Sequence, residues 1–400
     1  MRILGIETSC DETAVCVLEA EGSFGSAFRF NVLGNALYSQ VATHAPWGGV
    51  FPNLAKREHA KNLVPLLEQA LQGLPLERTA RGLPSGKSDL AAILAREPEL
   101  FEMLEKFLEE HGAPDIDAIA VTAGPGLEPA LWVGVNFAKA LSIAWHMPIV
   151  AVNHLEGHIA MAAMQDDRVA AFEFPALALL ISGGHTEIDL VREWPRFESI
   201  GQTRDDAVGE AFDKVARMLG IPYPGGAALS ALAAKARSQS TQGVTLRCHL
   251  KVTPWAFKLP RPMIHDDSFD FSFSGLKTAA RRLIADRVLS DAEKTAIALE
   301  FENAVADVLV AKTKRSVEEY NARALLVGGG VSANAFIKQR LGESLDIPVL
   351  APLPELATDN ALMIALAGYF HALNGEFANV ELFRANGNLQ LGIAQSNPVP

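Results

Sequence analysis

The sequence predicts an α/β protein made of one unit used twice, with a cleft between the two copies. Three observations carry this. The chain has 400 residues, enough for two cores. Apolar residues make up 49% and charged residues 20%, the balance of an ordinary globular protein. Each half also runs hairpin, helix, strand, glycine turn, helix, strand, with a period too long and a match too loose for a solenoid.

The elements follow in order. "RILGIETS" (2–9) and "TAVCVLEA" (13–20) are apolar, β-branched runs around a polar "CDE", which reads as a hairpin. A Gly/Pro loop leads into a helix from about 55 to 71. "IDAIAVTAGPG" is a buried strand entering a glycine turn, and 129–146 is a helix with Pro129 suited to its first turn. "PIVAVNH" is a short strand. The second half opens with "ALALLISGGHTEIDLVR" (176–192), again strand, tight turn, strand. Helices at 206–219 and 291–320 follow, then "ARALLVGGGVSANAFIKQRL" as strand, glycine turn and helix. "IPVLAP" is a strand, and "TDNALMIALAGYFHAL" is a helix with Thr358 or Asp359 positioned to cap it.

This organisation places a first lobe at 1–152 and a second at 153–370 with a helical insert. Residues 371–400 form a segment returning to the first lobe. The turn-rich stretch from 73 and the amphipathic helix at 97–112 read as an insertion at about 73–114 in the first lobe. Leu100, Leu104, Phe107 and Leu108 make one apolar stripe on that helix.

Composition narrows the function. Cys10, Cys16 and Cys248 are few, scattered and without a CxxC, which argues against a disulfide framework and for a reducing compartment. The N-terminus lacks signal-peptide features, and no run of about 18 apolar residues exists to span a membrane. The expected location is the cytoplasm. The net charge of −12 weighs against nucleic-acid binding by this chain alone.

Two kinds of motif carry chemistry. Four glycine turns, "ISGGHTE" (181–187), "AGPGLE" (123–128), "YPGGAAL" (223–229) and "VGGGVSAN" (327–334), suit main-chain N–H groups cradling an anion. None is a Walker loop or a GxGxxG fingerprint. The second motif is "VNHLEGHIA" (152–160), which sets His154 and His158 on one helical face, as a metal site requires. Glu156 falls about 200° around the helix from His154, so the general base of a zinc protease is missing. Asp359 is a candidate third ligand, ahead of His44, His59, His185 and His371. Two histidines and a carboxylate suit zinc or ferrous iron. Ser272, Ser274 and Lys277 in "FDFSFSGLKTAARR" are candidate pocket residues, with an edge strand entering a helix as the alternative. Glu210 and Lys214 form an i, i+4 pair, and Asp213 is placed to accept hydrogen bonds from a polyol such as ribose.

Taken together, "GIETSCDETAV", "GGVFPNLAKREH", "VNHLEGHI", "ISGGHTE", "DDAVGEAFDK", "YPGG", "FSFSGLKTA", "GGGVSAN" and "TDNALMIA" resemble the ordered motif series of the TsaD (formerly Gcp) family. These are tRNA N6-adenosine threonylcarbamoyltransferases. The resemblance implies ribonuclease H-like lobes in the actin/Hsp70/sugar-kinase-like arrangement. It implies one divalent metal, Fe2+ or Zn2+, held by His154, His158 and Asp359. It implies an adenylate held by Leu180, Ile181, Ser182, Gly183 and Gly184, by Asp213, by Gly226 and by Asn334. The implied reaction moves a threonylcarbamoyl group from threonylcarbamoyl-AMP to N6 of the adenosine 3′-adjacent to the anticodon. Asp11 and Glu12 are the candidates for the general base. The implied partners are tRNA, a homologous pseudoenzyme subunit and a small ATPase, with no membrane. Trp47 stands where the family often has tyrosine, Glu128-Pro129 where smaller residues are common, and Ala361 where glycine is frequent. The alternatives are a non-catalytic scaffold of the same fold and an ATP-dependent small-molecule kinase.

Overall fold

The computed structural model describes residues 1–76, 87–241, 257–285 and 287–392. Cys248, residues 77–86 of the expected insertion and residues 393–400 lie outside the described residues. The chain forms two compact units, Met1–Ala171 with Thr358–Pro400, and Phe172–Ala357.

The first unit is built on five strands: β1 (Arg2–Glu7), β2 (Glu12–Ser23), β3 (Ser26–Ser39), β4 (Ala118–Gly124) and β5 (Ile149–Asn153), in the order β3-β2-β1-β4-β5. β1 pairs antiparallel with β2 and parallel with β4, and β4 runs parallel to β5. β1 is buried from Ile3 onward, which is why it reads as a continuous apolar run rather than an alternating one. Helices α1 (Val41–His44), α2 (Pro52–Ala70), α3 (Lys87–Ile93) and α4 (Pro98–Glu110) lie between β3 and β4. α5 (Glu128–Trp145) lies between β4 and β5, and α6 (His154–Ala162) follows β5. Proline occupies the first turn of α2, α4 and α5, where its missing N–H costs no helical bond. A small ribbon of β6 (Met164–Gln165) and β7 (Arg168–Val169) closes the segment.

Within the 73–114 stretch, α4 is packed into the first unit. Leu100, Leu104, Phe107 and Leu108 of α4 are all buried and share a core with Leu63, Leu67 and Leu131. Each such side chain contributes roughly 1.5–3 kcal/mol through burial, so α4 belongs to the first unit's stability.

The second unit repeats the plan. Its strands are β8 (Ala176–Ile181), β9 (Thr186–Glu193), β10 (Arg196–Gln202), β11 (Ala324–Gly328) and β12 (Val349–Leu350), in the order β10-β9-β8-β11-β12. β8 is antiparallel to β9 and parallel to β11, and β11 is parallel to β12. Strand order and directions match the first sheet one for one. The fold is thus a duplicated ribonuclease H-like α/β unit. Helices α7 (Val208–Met218), α8 (Gly226–Thr241), α9 (Ser274–Ile284), α10 (Asp291–Tyr320) and α11 (Ala335–Ser344) complete it. A capping box of Ser290 and Glu293 starts α10, and Asn321 in the left-handed region ends it.

The chain then returns to the first unit through α12 (Ala361–Leu373), which packs on β1, β2, β4, β5 and α6. Two glycines make the approach possible. A Cβ on Gly5 would lie 2.4 Å from the Ala361 carbonyl oxygen, and one on Gly368 would lie 2.3 Å from the Ala120 Cβ. This packing sets the unit boundaries at 171/172 and 357/358, against 152 and 370 in the sequence reading. Beyond α12, Ala378 pairs with Ile149, Lys139 Nζ donates to the Phe383 carbonyl (2.7 Å), and Asn386 N donates to the Ala123 carbonyl (2.8 Å).

Candidate metal centre and ligand-binding turns

α6 begins directly at the end of β5. Asn153 caps it by accepting from Leu155 N at 2.9 Å, and His154 and His158 then stand one turn apart. Their ring centroids are 4.8 Å apart. Asp359 arrives from the other end of the chain. Asp359 was expected, with Thr358, to cap the last long helix, but the cap is Asn360, which accepts from Met363 N at 3.0 Å. That leaves the Asp359 carboxylate to the histidines: Oδ1 lies 3.3 Å from His154 Nε2 and 3.2 Å from His158 Nε2. One ligand atom from each of the three residues lies within 4.8 Å of the others. Two imidazoles and one carboxylate at that separation fit a divalent cation, with positions left for other oxygen ligands.

A second layer holds this set. Glu7 is fully buried at the end of β1, and its Oε2 lies 3.2 Å from His154 Nδ1. Ser9 Oγ lies 3.2 Å from the same nitrogen. Thr122 Oγ1 donates to Glu7 Oε2 at 2.6 Å, and Ser9 N donates to Glu7 Oε1. With Nδ1–H donating to Glu7, Nε2 faces Asp359 and would be the nitrogen offered to a metal, the usual outer support of a metal-bound histidine. Sequence reading missed Glu7; its only local signal is a charged residue closing an apolar strand. Burial works against charge on His154, but Asp359 and Glu7 outweigh it and hold its pKa well above the ordinary value. Burial likewise opposes charge on Asp359 and Glu7, and His154 outweighs it, keeping both carboxyls ionised. The pocket therefore demands positive charge between its carboxylates, which a proton or a metal ion can supply.

Glu156 faces away and pairs with His371 at 2.8 Å, as its position on the helix predicts. His371 also pairs with Glu376, and His44 and His59 belong to a separate buried network. His185 sits in the turn after β8, where its carbonyl accepts from Ser182 N at 2.9 Å. None of these four joins the cluster.

The hairpin tip borders Asp359. Burial, then the Asp359 and Asp11 charges, push Glu12 up to about 9, so its carboxyl is neutral at neutral pH. Burial and the same neighbouring charges raise the Cys10 thiol far above its usual range. Asp11 is buried beside them, its carbonyl accepting from Gln40 N at 2.9 Å.

In the second unit, Leu180 and Ile181 are buried in β8, so only their main chain can face a ligand. Ser182 Oγ ties the following turn, accepting from Gly184 N (3.3 Å) and His185 N (3.0 Å). Gly183 and Gly184 are exposed, and a Cβ on either would meet nothing within 4 Å. Asp213 and Gly226 do come together: Asp213 Oδ1 accepts from Gly225 N (2.8 Å) and Gly226 N (3.0 Å). The Asn334 side chain is engaged internally. It caps α11 through Ile337 N (3.0 Å) and donates to Ser230 Oγ (2.9 Å) and Glu302 Oε1 (2.8 Å). Ser272 and Ser274 both donate to Asp205 Oδ2 at 2.6 Å, while Lys277 pairs with Asp206. Lys214 bridges Asp206 (3.0 Å) and Glu210 (2.7 Å).

Fold and site thus define an α/β protein of two ribonuclease H-like units, the first of which carries a His2Asp cluster. A family model described as "TsaD: tRNA N6-adenosine threonylcarbamoyltransferase" matches residues 31–80 and 96–366. The chain belongs to the TsaD family, a family of transferases in tRNA modification. α4 lies inside the matched stretch and α3 wholly outside it. Among solved structures, the chain is similar to component A of the Acidaminococcus fermentans (R)-2-hydroxyglutaryl-CoA dehydratase, with 13% identity, 94% of this chain and 98% of that one covered, and a TM-score of 0.45. It is similar to full-length HypF in its phosphate- and nucleotide-bound form, with 13% identity, 93% and 55% covered, and a TM-score of 0.47. It is also similar to YeaZ from Pseudomonas aeruginosa, with 10% identity, 96% and 100% covered, and a TM-score of 0.33. Among the described residues no helix is long and apolar enough to cross a membrane.

Proposed function

We propose that this chain transfers the threonylcarbamoyl group of threonylcarbamoyl-AMP to N6 of the adenosine 3′-adjacent to the anticodon in tRNA. The observation that carries the reading is the convergence of His154 and His158 with Asp359, which lies 201 residues beyond His158, in a chain of this family. A scaffold has no use for such a set. An ATP-dependent kinase on this fold calls for magnesium and oxygen ligands rather than imidazoles.

Each group has a stated part. N6 attacks the carbamoyl carbon of the mixed anhydride, AMP leaves with the bonding pair, and the amine proton goes to a base. AMP is already a good leaving group, so no protein nucleophile is needed. Main-chain groups of Leu180–Gly184, the Asp213-clamped turn at Gly226, and the loop at Asn334 are the assigned adenylate contacts. Gly183 and Gly184 are exposed, which allows phosphate oxygens to approach the main chain there. His154, His158 and Asp359 would hold Fe2+ or Zn2+, which supplies Lewis-acid stabilisation of charge developing on oxygen. Glu7 fixes the His154 tautomer for that duty. Asp11 and Glu12, at the hairpin tip that borders Asp359, are the candidate bases. A homologous pseudoenzyme subunit and a small ATPase are the proposed partners, supplying charge that an acidic chain lacks.

The test combines elemental analysis of the purified protein with transfer from preformed threonylcarbamoyl-adenylate to unmodified tRNA. One equivalent of iron or zinc and metal-dependent transfer are expected. Full transfer by a metal-free His154→Ala/His158→Ala protein would discard the mechanism.

A further inference from the structure

Between β3 and α2 the chain displays two aromatic rings to solvent. Trp47 is 69% exposed and Phe51 51% exposed, and they stack with centroids 6.0 Å apart and planes 27° apart. Single exposed apolar residues are ordinary, but this pair sits on a braced loop. The Gly48 N–H closes a 3-10 turn onto the Ala45 carbonyl, Pro46 and Pro52 restrict the backbone, and the Phe51 carbonyl receives Leu54 N and Ala55 N.

The brace reaches inward as a closed hydrogen-bond chain. Phe51 N donates to His44 Nδ1 (3.2 Å), so His44 carries its proton on Nε2 and donates to Gln40 Oε1 (3.1 Å). Gln40 Nε2 donates to His59 Nδ1 (3.2 Å), which also accepts from Thr13 Oγ1 (2.8 Å). His59 Nε2 then donates to the Cys10 carbonyl (3.1 Å). Every donor faces an acceptor, and Thr13, Gln40, His44 and His59 are all fully buried. Burial pushes His59 down to about 4, so this ring is neutral at working pH. The chain ends on the hairpin tip that borders Asp359, so the rings are held in fixed register with the metal cluster.

We propose that Trp47 and Phe51 form a stacking platform for an unstacked nucleobase of the RNA substrate, positioned by the Gln40–His44–His59 network. This rests on the reading of the chain as a tRNA-modifying transferase. The chemistry around the rings favours that occupant. α2 starts at Pro52 with no acidic residue in its first turn, and Arg57 is exposed one turn further on, so a phosphate beside the base meets positive potential. Two aromatic side chains offer about 150–250 Å2 each, short of the roughly 800 Å2 per partner of a stable protein interface. A base presents a flat π-face of the right size, and stacking does not depend on the net charge that works against this chain.

The test uses the full chain and a fluorescent anticodon stem-loop RNA at low salt, read by anisotropy. Trp47→Ala and Phe51→Ala should each weaken binding about tenfold, at the lower end of what one stacked base supplies, and Trp47→Phe should keep most of it. Metal content and thermal melting should stay at wild-type values. A fully paired RNA should bind all variants alike. Photo-cross-linking of wild-type protein to a loop carrying 5-bromouracil should place the adduct on Trp47 or Phe51. Unchanged affinity in the double variant, equal losses for paired RNA, cross-links only elsewhere, or a changed oligomeric state with unchanged RNA binding would each overturn the platform. RNA binding without transfer would sink the transferase reading and leave the platform standing. No RNA binding by the wild type would sink the platform itself.

Discussion

The two units treat their polar groups differently. In the first, His154, His158, Asp359 and Glu7 sit close together, and the two carboxylates call for positive charge between them, from a proton or a metal ion. In the second, Asp205, Asp206, Asp213 and Asn334 are engaged by backbone N–H groups, serines and lysines of their own unit. The first unit is a site of side chains. In the second, side chains shape the turns: Asp213 takes the Gly225 and Gly226 N–H groups, and Ser182 those of Gly184 and His185.

The sharpest way to break this contrast is His158→Ala. It removes a ligand and leaves the Glu7–His154 pair intact, so bound metal should fall to background and transfer with it, while melting changes little more than a cavity requires. Elemental analysis and a melting curve decide it. His154→Ala is the cruder variant, because it strands Glu7; breaking one partner of a buried pair costs about 3–5 kcal/mol. Next in size is Glu7→Gln, whose amide N–H turned to Nδ1 would favour the wrong tautomer. Metal affinity, measured by competition with a chelator, should fall about 10- to 100-fold. In the second unit, Asp213→Ala strands Gly225 N and Gly226 N. A loss of about 1–3 kcal/mol in stability and weaker AMP binding, with unchanged metal content, would sharpen the contrast. A further effect, confined to acid pH, is on stability. His59 is held neutral with its pKa near 4, against 6.5 in an unfolded chain. The unfolded state therefore takes up the proton first, and stability falls as pH drops through that window, by up to about 3 kcal/mol. His59→Gln should flatten the slope of denaturant midpoint against pH between 4 and 6.5.

Much of the fold was legible because the elements are local. Apolar runs marked β1, β2, β4, β8 and β11; a polar tip separated the first two, and glycine turns marked the ends of the other three. β3 went unread although "SAFRFNVLGNALYS" carries an alternating pattern, because its partner β2 extends well past the hairpin expected at 13–20. The amphipathic helix at 97–112 was legible as a helix, but not as core, since the partners of Leu104 and Phe107 come from α2 and α5. The histidine pair follows from helix periodicity. Glu7 does not, because its duty depends on β1 lying beside the start of α6. Nor does the choice between Asp359 and Asn360 as cap, since both are good capping residues and only geometry separates them.

Asp359 lies two residues after the last residue of the second unit. A ribosome that has released only residues 1–357 has therefore made a whole second unit and an unfinished first one. That nascent first unit lacks α12 over Gly5 and the acid of the His2Asp cluster. The later-encoded unit can mature first, and the cluster is assembled only once synthesis has run past Asp359 and α12 has docked.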